Sequence, residues 1–187
     1  MKKLRPLVSA NDHQMGNAKA KVTLVEYGDY ECSHCSRAHP IVQQLVAELG
    51  DHLQFIFRHF PLEEVHPHAF LAACAAEAAG NQGQFWQMHD LHFDNQCRLS
   101  DSLLLHFARR LKLDESRYTQ AFKSTLTRKK IEDDLESGIR SGVSGTPSFF
   151  LNGVPVLTYD GTYESLQEAI TGNRLQRVIV SKLRDVI

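Results

Sequence analysis

Cys32 and Cys35 bracket Ser33 and His34 in the stretch DYECSHCSRAHP, residues 29–40. A pair at that spacing can clip a metal, close a structural disulfide or act as a reactive dithiol. Disulfide exchange runs through a thiolate, so a reactive cysteine must sit where its anion is stabilised. The start of a helix is such a place, because its first N–H groups lack intrahelical partners and the positive end of the macrodipole meets the sulfur. Cys32 at that start is expected to be the exposed, acidic thiol. Cys35, a turn along, is placed to attack a mixed disulfide formed on Cys32. His34 offers a donor or a positive charge close by and is expected to stabilise the Cys32 thiolate. A zinc clip would recruit His34 or His39 as third ligand, but structural zinc usually takes four ligands and the chain has no second Cys-x-x-Cys.

The surrounding pattern supplies that helix. KVTLVEYG, residues 21–28, is rich in β-branched and apolar residues and short enough for a buried strand. Beyond the cysteines, Ile41, Val42, Leu45, Val46 and Leu49 form an amphipathic stripe that stops at Gly50. HLQFIFRHF, residues 52–60, reads as a second strand closed by Pro61, which makes a βαβ unit with parallel pairing. Sites form at the carboxyl ends of such strands. From there to about residue 143 the text is helical, with Asp114 a candidate cap and Ile131, Leu135 and Ile139 marking one helix face. PSFFLNGVPVL then predicts two short strands turned at Asn152-Gly153, and a final helical region begins near Tyr163. The expectation is one α/β domain over 1–187, with a helical insertion at about 62–143 between βαβ and ββα halves. The C-terminal LQRVIVSKLRDVI, with Leu175, Val178, Ile179, Leu183 and Val186 at helical spacing, is expected to dock on its own chain and leave a monomer.

The 187 residues carry 42% hydrophobic and 23% charged side chains and a formal charge of -1, an ordinary globular balance that gives nucleic acid no basic track. Arg128, Lys129 and Lys130 are followed at once by Glu132, Asp133 and Asp134, which reads as a solvated helix face. No stretch approaches the ~18 consecutive apolar residues of a membrane helix. The basic start MKKLRPLVSANDHQMGNAKA is interrupted by Asn11, Asp12, His13 and Gln14 before an apolar segment forms, so the chain reads as cytoplasmic. A periplasmic chain whose leader had been removed would look the same. Four cysteines in a reducing compartment point to chemistry or metal at Cys32 and Cys35, with Cys74 a small core residue and Cys97 an ordinary thiol. Phe85 and Trp86 read as core.

VTLVEYGDYECSHC, GQFWQMHDLHFDNQ and GVSGTPSFFLNG, in that order over roughly residues 12–172, resemble the DsbA-like branch of the thioredoxin superfamily. The resemblance implies a thioredoxin-like fold with a helical insertion and a dithiol/disulfide site that needs no cofactor and no metal. It makes Cys32 the nucleophile and Cys35 the resolving thiol. It also implies a cis peptide at Pro147, facing the cysteines and leaving the backbone of Thr146 free to pair with an extended substrate, where sequence alone favours a trans proline opening a strand. Glu26 must lie on a solvated strand face or be paired and shifted in pKa; the resemblance makes it the proton acceptor for Cys35. Pro40, inside the helix, should kink it. Ser33 stands where the family commonly has proline.

The leading function is exchange of a disulfide between Cys32/Cys35 and protein thiol substrates, with a redox partner or glutathione completing the cycle. In a cytoplasm poised near about -220 to -320 mV, reduction fits better than oxidation. The competing readings are a zinc-binding or non-redox interaction module, and a glutathione-dependent isomerase or transferase on a related fold.

Overall fold

In a computed structural model, residues 2–172 are described, and the C-terminal stripe from Leu175 to Val186 lies outside them. Five strands form one mixed sheet in the order β1-β3-β2-β4-β5: β1 His13–Gly16, β2 Val22–Gly28, β3 Leu53–His59, β4 Ser148–Leu151 and β5 Val154–Pro155. β2 and β3 pair in parallel, and α1 (Ser33–Leu49) crosses between them. The other pairings, β1 on β3, β4 on β2 and β5 on β4, are antiparallel. Between β3 and β4 come α2 (Ala69–Gly80), α3 (Phe85–Asp94), α4 (Asp101–Arg110), α5 (Glu115–Phe122) and α6 (Thr125–Ser141), and α7 covers 163–172. This is the expected thioredoxin-like α/β order with its helical insertion. Among the described residues no helix is long and apolar enough to cross a membrane.

Local chemistry accounts for the boundaries. Gly50 ends α1 with φ of 46° while its N–H bonds the Val46 carbonyl. The side chains of Ser100, Asp114 and Ser124 cap α4, α5 and α6 by accepting from Leu103, Arg117 and Leu126 amides. Asn152 and Gly153 both take positive φ, 50° and 80°, as the hairpin turn requires. β5 is an edge strand, where Pro155 costs no central ladder bond.

Two cores flank the sheet, selected by strand parity. Leu24, Phe55, Phe57 and Phe149 face α1 and the insertion; Val25, Tyr27, Ile56 and Phe150 face Leu4, Phe60 and Val143. The Ala-rich α2 is buried on nearly all sides, its small side chains, Cys74 among them, letting neighbouring helices approach closely. Phe85 is buried, whereas Trp86 is only partly covered and donates its indole N–H to the Gln14 carbonyl at 2.9 Å.

Three expectations change. β1 is an additional strand: HQMG has no apolar alternation, and its pairing with β3 makes it extended. The basic-acidic run is not wholly solvated. Lys129 and Asp133 pair at the surface, but Asp134 is buried, accepting the His59 amide at 3.1 Å and Lys130 at 2.6 Å, while the Arg128 guanidinium lies over Phe70. On α6, Ile131 is buried but Ile139 faces solvent.

Arg58 on β3 pins the N-terminal segment. Only 2% exposed, it holds Asp12 through two bonds of 2.7 and 3.1 Å and donates to the Pro6 and Leu7 carbonyls and to the Tyr27 hydroxyl. Burial alone would raise the Asp12 pKa, but the Arg58 bonds and the Ser9 amide bring it below the usual carboxylate value. Asp12→Ala leaves a buried unpaired cation and should cost about 3–5 kcal/mol in urea unfolding. Because the folded-state pKa is depressed, the Asp12 contribution is present above pH ~4 and is lost as pH falls through the folded value. The variant's deficit should therefore shrink below pH 4.

Candidate active site

β2 delivers the chain into α1 by way of Asp29, Tyr30 and Glu31. Cys32 is the N-cap of α1 in extended conformation and Cys35 lies in its first turn. Pro40 falls inside the same helix, which continues through it to Leu49. Across the site the Thr146–Pro147 peptide is cis, and the Cys32 thiol donates to the Thr146 carbonyl at 3.2 Å. Cys32, Cys35, Thr146 and Pro147, distant in sequence, thus meet at the carboxyl end of the central strands.

The two sulfurs are held unequally. The Cys32 thiol is lowered to a pKa of about 5, first by its hydrogen bond with the Cys35 side chain, then by Thr146 and by the Cys35 and His34 backbone N–H groups, against the opposing effect of burial. Thr146 Oγ1 is buried without another partner, so its hydroxyl is free to turn to the sulfur when Cys32 ionises. Cys35 is pushed well above the ordinary thiol value by burial, by its bond to Cys32 and by the charge of Glu26. The Asp29 amide, 3.5 Å from Cys35 Sγ, only partly offsets this. Cys32 is less open than its helix-start position suggests, at 6% exposed against 0% for Cys35, because the Thr146 loop covers it.

Glu26 is neither solvated nor paired. Strand parity puts it on the face of Leu24, and it is 3% exposed with Oε1 unpartnered. Burial, and next the charge of Cys32, raises its pKa to about 8. Gly28, two residues along on that face, leaves room for the carboxyl: a Cβ there would come within 3.2 Å of Oε1 and 2.4 Å of the Phe57 ring.

His34 requires a correction. Its ring is exposed and its Nδ1 accepts from Arg37 Nη2 at 2.7 Å, so its backbone N–H, not its imidazole, supports the Cys32 anion. His39 is engaged with Asp90 at 3.3 Å, and among the described residues neither group of side chains able to converge on an ion contains Cys32 or Cys35. Cys97 is exposed and unbridged.

Three residues at the site escaped the sequence reading. Asp29, buried at the end of β2, accepts from the Glu31 and Leu62 amides and from His66, fixing the turn before Cys32. Gln96, in a short 3-10 turn after α3, donates from one amide nitrogen to the Tyr30 and Cys32 carbonyls at 2.9 and 2.8 Å. Tyr159 lines the cleft beside Thr146 and Pro147, and burial, then Glu26 and Cys35, raises its pKa to about 12. Asp29 could have been suspected from its place between a strand and the dithiol; Gln96 and Tyr159 have no local signal.

Carboxamidomethylation of Cys32 followed against pH should give a midpoint near 5, with Cys35 unreactive at neutral pH. His34→Ala, which removes a ring turned to Arg37, should move that midpoint by less than about half a unit. Glu26 carries the opposite sign to Asp12. Its folded pKa is raised, so its ionisation costs stability progressively from the unfolded value near 4.5 up to about 8. Glu26→Gln should abolish that decline in chemical denaturation, and its advantage over the parent should be greatest above pH 8.

Known proteins share this fold. The sequence model of the family described as Thioredoxin matches residues 9–172. A thioredoxin-like oxidoreductase from Silicibacter pomeroyi DSS-3 superposes with a TM-score of 0.76 at 27% identity, over 89% of this chain and 94% of that one. Alpha-DsbA1 from Wolbachia pipientis gives 0.68 at 26%, over 79% of this chain and 78% of its own. A protein of Salinispora arenicola named Na(+)/H(+) antiporter NhaA 1 is 42% identical over 177 residues, 91% of this chain but 26% of its own length, so the chain spans about a quarter of such curated relatives. With its sheet order, its insertion and the match over 9–172, the chain belongs to the thioredoxin family, on the DsbA-like branch of the superfamily.

Proposed function

We propose that the chain exchanges a disulfide between Cys32/Cys35 and protein substrates. The observation that carries this reading is the placement of Cys32 at the N-cap of α1 beside Thr146 with Cys35 in the first turn behind it, which tunes the two sulfurs oppositely, one thiol brought to about 5 and the other held protonated. A zinc clip would deprotonate both, and a glutathione-dependent isomerase or transferase would need only one of them. The match to the antiporters falls on this same thioredoxin-like stretch, and we assign the dithiol, not ion transport, to it.

The Cys32 thiolate attacks a substrate disulfide, forming a mixed disulfide and releasing one substrate thiolate. Cys35 gives its proton to Glu26, and its sulfur then attacks Cys32 Sγ, expelling the second substrate thiolate and closing the Cys32–Cys35 disulfide. A pKa of about 8 suits Glu26 to take and return that proton near neutral pH. The protein is oxidised by two electrons as the substrate is reduced; a dithiol partner or glutathione restores the thiols, and oxidation of substrates is the reverse sequence. The open cleft lined by Arg37, Gly145, Thr146, Pro147 and Tyr159 gives an extended substrate backbone access to the Thr146 peptide groups.

Equilibration with glutathione buffers at several pH values, with the couple quantified by alkylation and mass, tests the proposal. Ionisation of Cys32 stabilises the reduced form at pH 7 by about 2.7 kcal/mol, making the couple roughly 60 mV more oxidising than one with an un-ionised thiol. Its potential should fall by about 60 mV per pH unit below pH 5 and by about 30 mV per unit above it, where the reduced pair holds one proton. Cys32→Ser should abolish insulin reduction. A pair that stayed dithiol in every buffer between about -320 and -120 mV would refute the reading.

A further inference from the structure

The chain has ten histidines, and the fold collects two of them on one carboxylate in a group that includes neither Cys32 nor Cys35. His13 from β1, His59 from the end of β3 and Glu77 from α2 converge: His13 Nε2 lies 2.7 Å and His59 Nε2 2.9 Å from the same oxygen, Glu77 Oε1. The three donor atoms all fall within 4.8 Å of one another. His59 and Glu77 are buried, whereas the His13 side chain is 21% exposed, so the cluster has a covered floor and one open side.

The ring of His13 is held in place. It stacks on Phe85 with centroids 3.4 Å apart and planes within 5°. Gly80, nearly one turn after Glu77 on α2, makes room for it, since a Cβ at Gly80 would lie 3.3 Å from His13 Cε1. The backbone of His59 is anchored by the Asp134 carboxylate. Two imidazole nitrogens and one carboxylate oxygen, set by three elements and open on one side, form the donor set that zinc uses when water takes its fourth position. A tetrahedron with bonds of ~2.0–2.1 Å has edges of ~3.3 Å, so the two nitrogen–oxygen separations need to widen by only about half an ångström. The nitrogens argue against magnesium and calcium, which take oxygen ligands.

We propose that His13, His59 and Glu77 bind a divalent transition ion of the zinc type, distinct from the dithiol site and clamping the edge strand β1 to α2. Binding puts the metal where each Nε2 holds a proton toward Glu77; that proton moves to Nδ1 of a neutral imidazole or is released to solvent from an imidazolium, and no electron is transferred.

The test uses the full chain carrying Cys32→Ser, Cys35→Ser and Cys97→Ser, which removes the dithiol and the exposed thiol as competing ligands and leaves only the buried Cys74. Zinc titrated by calorimetry should bind at one equivalent, and cobalt should give the visible bands of a four-coordinate ion. Anomalous diffraction at the zinc edge should put a peak between the three side chains. His13→Gln retains a donor able to bond Glu77 but no imidazole; it should keep the thermal stability of the metal-free protein and weaken zinc binding by at least about tenfold. Glu77→Asp, with its carboxylate withdrawn, should weaken it as well. Failure to bind zinc, binding unchanged in His13→Gln, or an anomalous peak elsewhere would overturn the proposal. Loss of stability in metal-free His13→Gln would not rescue it, because the anomalous peak in the parent decides independently.

Discussion

The approach of the Thr146 loop to Cys32 Sγ joins parts of the chain 114 residues apart, and the environment of the sulfur depends on it. A helix N-terminus alone would lower the thiol pKa of Cys32 and leave the sulfur in water. The Thr146 loop removes much of that water, which by itself would favour the neutral thiol, and supplies in exchange an otherwise unpartnered hydroxyl able to meet the anion. The insertion lies between these two contributors in sequence, so the site forms only when β2, α1 and β4 have closed around it.

Burial raises the pKa of all three neighbouring groups, but with opposite outcomes. At Cys32 it is outweighed by four hydrogen-bonding influences; at Cys35 and Glu26 it leads. The sheet face carrying Glu26 also carries Leu24, Phe57 and Phe149, so its carboxyl is charged only at the expense of fold stability. Arg58, on the opposite face, is buried too, yet a carboxylate, two carbonyls and a phenol satisfy it. The fold thus compensates the buried charge of Arg58 and leaves the carboxyl of Glu26 without a partner on the face of the sheet that α1 covers.

Much of this was legible because it is local. The β2-to-α1 transition, the Asp114 cap and the Asn152-Gly153 turn each follow from a few adjacent residues, and three motifs in register pointed to the superfamily. The cis peptide at Pro147 came from that resemblance, not from the residues themselves. What escaped was set by parity or by distant pairing. β1 is extended only because β3 offers it a ladder, and Asp12 finds Arg58 across 46 residues. Glu26 could be placed only once it was known which side of β2 faced α1. The His34 ring could turn either to the sulfur or to Arg37, and spacing does not choose between rotamers.

Gln96 gives the insertion a direct hold on the turn that ends in Cys32. One amide nitrogen grips two carbonyls of that turn, and the glutamine belongs to a three-residue 3-10 segment between α3 and α4, not to the sheet. Short segments of this kind sit at the low end of a protein's local opening free energies. Each such opening frees the Tyr30 and Cys32 carbonyls and loosens the backbone that sets the sulfur. The amide hydrogens of the residue 29–35 turn should therefore exchange with solvent in step with those of residues 95–99, as one cooperative unit, and the rigidity of Cys32 depends in part on a segment that contributes nothing to its charge.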